Sequence, residues 1–212
     1  MSKALILVDV QNDFSPDGAL PVPDGDAIVP VINLLMPHFD HVIATKDWHP
    51  EGHASFASTQ GKQPGEKIQL SGIEQILWPD HCVQETYGSE FITGLNLDAI
   101  ERVIYKGTHP DIDSYSGFFD NQHDQSTGLA DYLQKIGVTE LYITGLATDY
   151  CVKFTALDAL SLGFKTWVIQ DACRGVNLID GDVEAAWSVM QEAGCQLTDI
   201  IILFTKRVLV SR

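Results

Sequence analysis

"ITGLATDYCVKFTALDALSLG", residues 143–163, runs from an apolar strand into a glycine, then into a helix-periodic stretch that closes on a second glycine. Strand followed by helix, repeated along a chain, is the signature of a parallel sheet wrapped by its own crossover helices. The same β-branched, apolar character recurs at 4–10 (ALILVDV), 41–45 (HVIAT), 102–105 (RVIY), 140–144 (ELYIT), 164–170 (FKTWVIQ) and 199–203 (DIIIL), which read as buried parallel strands. Between them, Ile28, Val31, Ile32 and Leu35 recur at the spacing of one helix face, with Pro30 in the first turn where its missing N–H costs little. Leu129, Tyr132, Leu133 and Ile136 repeat that spacing before Gly137. Two more helices, from about Asp149 to Gly163 and from Asp182 to Gly194, end on glycines suited to a left-handed closing residue. The expected fold is α/β: a doubly wound, mostly parallel six-stranded sheet with helices on both faces, in a single domain over residues 1–212.

At 212 residues and 45% hydrophobic side chains, the chain can bury one substantial core. Its formal net charge of −16, from 13 basic and 29 acidic side chains, denies it the basic surface that nucleic acid or an anionic membrane would need. No apolar run approaches the roughly 18 to 20 residues of a membrane span. The strand-like start "KALILVDV" carries no basic leader, and a cytoplasmic location is predicted. The cysteines at 82, 151, 173 and 195 show no paired spacing, so free thiols are expected rather than disulfides or a zinc knuckle.

Residues 47–97 break the strand–helix rhythm with a long segment rich in His, Trp, Gly and Pro, as functional loops often do. In open parallel sheets ligands bind beyond the carboxyl ends of the strands. Asp9, Asp47, Lys106 and Cys151 each follow a predicted strand and should face one crevice. A cysteine at a helix start, beside the candidate caps Thr148 and Asp149 and near an ammonium, is expected to have a lowered pKa and to act as a thiolate nucleophile. Asp9 could carry its proton and Lys106 could hold Asp9. Asp47 and His49, two apart on an extended segment, point the same way, and His81 could complete a set of two histidines and one carboxylate around a metal. His53 is a further candidate ligand. Phe14, Trp78, Tyr115 and Tyr150 lie where they could wall a pocket for a flat ligand. Taken singly, each residue has an ordinary structural role, in core packing, solvated strand ends or hydrogen-bonded loops. Their convergence on one sheet edge favours a site.

The segments "ALILVDVQNDFSPDGALPVPDGD", "IATKDWHPEGHASF", "LWPDHCVQETYGSEF", "YKGTHPDIDSYSGFFDN" and "ITGLATDYCVKFTALDA", in this order, resemble the nicotinamidase family of isochorismatase-like cysteine hydrolases along nearly the whole chain. The resemblance implies a catalytic triad of Asp9, Lys106 and Cys151, with Asp47, His49 and His81 as metal ligands; His53 ligates in some relatives and not in others. It implies a cis peptide between Leu146 and Ala147 and an oxyanion hole from the N–H groups of Ala147 and Cys151. It implies hydrolysis of nicotinamide, and of pyrazinamide, to the acid and ammonia through a Cys151 thioester, serving NAD salvage. Phe14, Trp78 and Tyr115 would pack around the ring, and the cofactor would be one divalent ion, zinc or iron, with manganese also admissible. The expected partner is the small-molecule substrate, with no nucleic acid and no membrane, and homo-oligomerisation is left open. The intact triad and metal cluster disfavour two alternatives, a carbamoyl amidase of the same superfamily and a catalytically silent ligand-binding domain. Asp17 and Ser89 depart from common family residues outside the chemistry, and the tail over 204–212 matches no pattern.

Overall fold

Ala4, Ile6 and Val8 of strand β1 (Ser2–Val8) join the core on one side of the sheet, Leu5 and Leu7 join the core on the other, and all five are fully buried. A strand apolar on both faces needs cover on both, which is what the helices supply. The computed structural model describes residues 2–203 and 205. Its main sheet also contains β2 (His41–Asp47), β5 (Arg102–Lys106), β6 (Val138–Leu146), β7 (Lys165–Arg174) and β8 (Gln196–Thr198), all parallel, in the order β5-β2-β1-β6-β7-β8. Counted within this sheet alone the order is 3-2-1-4-5-6, the doubly wound arrangement, with its switch point between β1 and β6.

Helix α1 (Val29–Leu35) covers one face through Val29, Ile32 and Leu35. Helices α3 (Leu129–Lys135), α4 (Lys153–Ser161) and α5 (Asp182–Glu192) cover the other through Leu129, Leu133, Ala156, Ala159, Ala186 and Met190. Gly137, Gly163 and Gly194, each at positive φ, follow α3, α4 and α5. Among the described residues no helix is long and apolar enough to cross a membrane.

Three expectations are corrected. The run 199–203 is not a strand: the sixth strand is β8, just before it, and residues 200–203 are helical. Asp199 caps this turn, its Oδ1 accepting the Ile202 N–H at 2.9 Å, and Ile200 and Leu203 pack inward while Ile201 is 73% exposed. A short apolar run carries both periods at once, and the Asp cap decided for the helix. The long segment after β2 is not irregular throughout, since it holds a short helix α2 (Ala57–Gln60) and an antiparallel hairpin, β3 (Lys67–Leu70) with β4 (Ile73–Ile76). The third helix starts within one residue of Asp149, but not as an α-helix: Thr148–Val152 form a π-helical turn that runs directly into α4 at Lys153. The tail expected at 204–212 lies outside the described residues except for Thr205.

Gly145, at φ +121°, lies where β6 passes β1, and a Cβ there would come within 2.0 Å of the Val8 carbonyl oxygen. Gly145→Ala is expected to lower the unfolding free energy by more than about 2 kcal/mol, since both the conformation and the backbone contact oppose it. Urea denaturation checks this, and an unchanged midpoint would show that the two strands can separate at no cost.

Candidate active site

The sheet order brings the ends of β5, β2, β1 and β6 side by side, and so delivers Lys106, Asp47, Asp9 and Cys151 to one point. The Lys106 side chain is fully buried, with Nζ 2.9 Å from Asp9 Oδ2, 2.9 Å from Asp47 Oδ1, 2.7 Å from the Ser114 carbonyl oxygen and 3.4 Å from Cys151 Sγ. Burial by itself would push the ammonium toward neutrality, but the carboxylates of Asp47 and Asp9 hold its pKa well above the ordinary lysine value. Burial raises the Asp9 carboxyl above its ordinary value, with Lys106 opposing. Asp9 sits at φ +48°, just past β1, and its Oδ1 accepts the Thr45 hydroxyl.

The thiol departs from expectation. Burial pushes the Cys151 pKa well above the ordinary value; Lys106 lowers it, while Asp9 and Asp47 add to the rise. The lowering expected from a helix start rests on a cysteine facing solvent at an α-helical first turn, whereas Cys151 is 6% exposed within a π turn. Burial thus acts in the same direction on both groups, raising the Cys151 thiol and the Asp9 carboxyl beside it, with Lys106 opposing each. The caps behave differently too. The Asp149 carboxylate accepts the N–H groups of Val176 and Asn177, at 3.0 and 2.7 Å, and so ties the π turn to the loop after β7. Thr148 Oγ1 is buried with no hydrogen-bond partner among the described residues. The peptide between Leu146 and Ala147 is cis.

Asp47 uses its second oxygen differently. Oδ2 lies 3.2 Å from His49 Nε2 and 3.4 Å from His81 Nε2, and one donor atom from each of the three residues falls within 4.8 Å of the others. His49 Nδ1 bonds the Gly107 carbonyl oxygen at 2.9 Å and His81 Nδ1 bonds the Pro79 carbonyl oxygen at 2.8 Å. Those bonds place the Nδ1 protons and turn both Nε2 atoms inward toward Asp47. Burial opposes a charge on His49, yet Asp47, and more weakly Asp113, draw its pKa up to about 9. His49 Nε2 is buried without a hydrogen-bond partner among the described residues. Two imidazoles and a carboxylate with an orphaned donor atom fit a divalent metal ion. His53 is not in this set: its ring lies 4.4 Å from that of His49, and its Nδ1 pairs with Ser55 Oγ at 2.8 Å.

Phe14, Trp78, Tyr115 and Tyr150 wall a cavity into which Asp47, His81 and Cys151 project. The Trp78 and Tyr150 rings meet edge to face at 4.8 Å and 89°, and Phe14 packs edge-on to His81 at 5.6 Å. Residues that sequence reasoning missed complete the site. Asp113, 3% exposed, lines the same cavity with Oδ1 3.9 Å from His49 Nε2. Gln11 grips the Asp47 peptide, accepting its N–H and donating to its carbonyl, both at 2.8 Å. "QND" and "IDS" offered no periodicity to mark these side chains as buried; Gln11 was signalled only by its place directly after the first predicted strand, and Asp113 by nothing local.

Residues 3–201 match the Isochorismatase domain family. The chain is 50% identical over 199 residues to the nicotinamidase of Escherichia coli strain K12, covering 92% of this chain and 93% of that protein. It superposes on the solved structure of an Acinetobacter baumanii nicotinamidase and pyrazinamidase with a TM-score of 0.92 at 47% identity, covering 95% of this chain and 98% of that one. A pyrazinamidase of Pyrococcus horikoshii, solved in complex with zinc, aligns with a TM-score of 0.77 at 41% identity over 94% of this chain and 100% of that one.

Replacing Lys106 by Met would leave Asp9 and Asp47 buried without the cation they share. Lys106→Met is expected to lower stability by about 3–5 kcal/mol, the usual cost of removing one partner from a buried ion pair. Urea unfolding at neutral pH measures it, and a midpoint equal to that of the unaltered chain would mean that the carboxylates do not depend on Lys106.

Proposed function

The chain belongs to the isochorismatase family, and from that premise we propose that it is a nicotinamidase, hydrolysing nicotinamide, and pyrazinamide likewise, to the carboxylic acid and ammonia. The observation that carries this reading is Lys106 Nζ, 2.9 Å from Asp9 and 3.4 Å from Cys151 Sγ, with Cys151 lining an aromatic cavity that also receives Asp47 and His81. Cys151 Sγ attacks the carboxamide carbon as its proton passes to Asp9. The oxyanion is received by the N–H groups of Ala147 and Cys151. Asp9 then protonates the departing nitrogen, ammonia leaves and a thioester remains. In the second half-reaction Asp9 takes a proton from water as the water attacks, and the acid is released with the thiol restored. Lys106 keeps the negative charge of Asp9 or of the sulfur paired throughout.

Asp47, His49 and His81 would hold a zinc or iron ion, and the chemistry it supplies when bound is an open coordination position for a ring nitrogen. Phe14, Trp78 and Tyr115 pack around that ring and fix its face toward Cys151. The product acid is the form from which pyridine nucleotides are rebuilt, which places the reaction in NAD salvage. The domain is read as one unit over 1–212, acting in the cytoplasm.

Two measurements test the proposal. Asp9→Asn is expected to preserve folding and nicotinate binding while lowering kcat for ammonia release by several powers of ten, because proton transfer fails in both half-reactions. Turnover near that of the unaltered chain would reduce Asp9 to a structural residue. Benzamide, which lacks a ring nitrogen, is expected to be a very poor substrate, and chelation should depress nicotinamide hydrolysis toward the benzamide rate while changing benzamide hydrolysis little. Equal rates on both amides, or equal suppression of both by chelation, would contradict an orienting role for Asp47, His49 and His81.

A further inference from the structure

Of the eight residues in strands β3 and β4, only Gln75 is buried, at 2% exposure. The hairpin packs outside the main sheet and meets the segment after β5 through polar contacts: the Gln122 amide donates to the Ser71 carbonyl oxygen, and Gln75 reaches inward. A buried amide is unfavourable unless its donors and acceptor are used, and all of them are used here. Gln75 Nε2 lies 2.7 Å from its neighbour's carbonyl oxygen on Ile76, 3.1 Å from Tyr115 Oη and 3.2 Å from Asp113 Oδ2; Oε1 is 3.4 Å from Asn121 Nδ2. Asn121 Oδ1 in turn accepts the Tyr115 N–H at 2.9 Å, so Gln75 holds both the hydroxyl and, through Asn121, the backbone of the same residue.

Trp78 Nε1 also donates to Tyr115 Oη, at 3.1 Å. With an N–H on each side, the phenol oxygen is spent as an acceptor and the ring cannot swing without breaking two hydrogen bonds. Tyr115 therefore stands edge-on to Trp78, with ring planes at 83°, and 5.6 Å from Tyr150. These rings are the walls of the catalytic cavity.

We propose that Gln75 is a positioning residue for the hydrolysis: acting through the Tyr115 hydroxyl, it fixes the orientation of the aromatic wall against which the substrate ring packs. The proposal rests on the nicotinamidase reading. It gives the hairpin a function, as the carrier of one amide from an otherwise solvated arm into the binding cavity. Gln75 itself does not touch the reacting atoms.

A double-mutant cycle tests it. Gln75→Leu is expected to raise the KM for nicotinamide about tenfold, the scale of one such hydrogen bond, with kcat within about threefold of the starting value. In a Tyr115→Phe background the same change should move KM by less than about twofold, because the hydroxyl through which Gln75 acts is gone. Calorimetric Kd values for nicotinate should follow the same cycle. If Gln75→Leu does not fold, Gln75→Met is carried through the same scheme. An equal rise in both backgrounds, or a lowered Tm with KM unchanged, overturns the positioning role. A chain that binds nicotinate and follows the cycle but releases no ammonia from nicotinamide overturns the functional reading alone; one that binds no nicotinate overturns both.

Discussion

One ammonium, that of Lys106, organises the interior of this protein. It has no solvent, and within hydrogen-bonding reach it has two carboxylates, a carbonyl oxygen and a thiol. A charge in such a place persists only if its surroundings compensate it closely, and a carboxylate pair without a cation would be worse. The fold must therefore bring the ends of four strands to within a few ångströms of one atom. The parallel order β5-β2-β1-β6 does so, because adjacent parallel strands end side by side. Gly145, with no side chain to hold β6 away from Val8, lets the innermost pair come close enough.

Asp47 extends this centre into a second one. Its Oδ1 belongs to Lys106 and its Oδ2 to the two imidazoles, so the charge balance around Lys106 and the metal-type donor set share a single carboxylate. His49 and Lys106 together outweigh the effect of burial and hold that carboxyl well below the usual range. The two halves of the site are consequently coupled in charge as well as in space.

Much of this was legible in the chain. Runs such as ALILVDV and ELYIT are largely apolar without alternation, as strands covered on both faces are, and a parallel sheet then fixes where Asp9, Asp47, Lys106 and Cys151 must lie. The aromatic wall and the ligand spacing followed from position beyond strand ends and from the two-residue period. What escaped has physical causes. DIIIL satisfies both the strand and helix periods over its short length, and an aspartate cap chose between them. Gln75 and Asp113 are polar residues whose burial depends on partners distant in sequence, which no local pattern encodes. The direction of the Cys151 pKa was missed because a helix-terminus argument sees the dipole and the ammonium but not the desolvation that outweighs them.

The two histidines that face Asp47 are oriented by main-chain oxygens, those of Gly107 and Pro79. A side-chain partner for each imidazole could be lost by a single nucleotide change in the gene; a peptide carbonyl cannot, since every residue supplies one. The tautomers of His49 and His81 are thus insulated from point mutation at the positions that set them, provided the local chain path survives. At 107 that proviso is strict, because a Cβ would approach the His49 ring to 2.5 Å and φ is +63°. Genetic drift around this donor set should be free in side chains yet nearly frozen in backbone, so that lineages can exchange much of the surrounding loop and still inherit the same ring orientations.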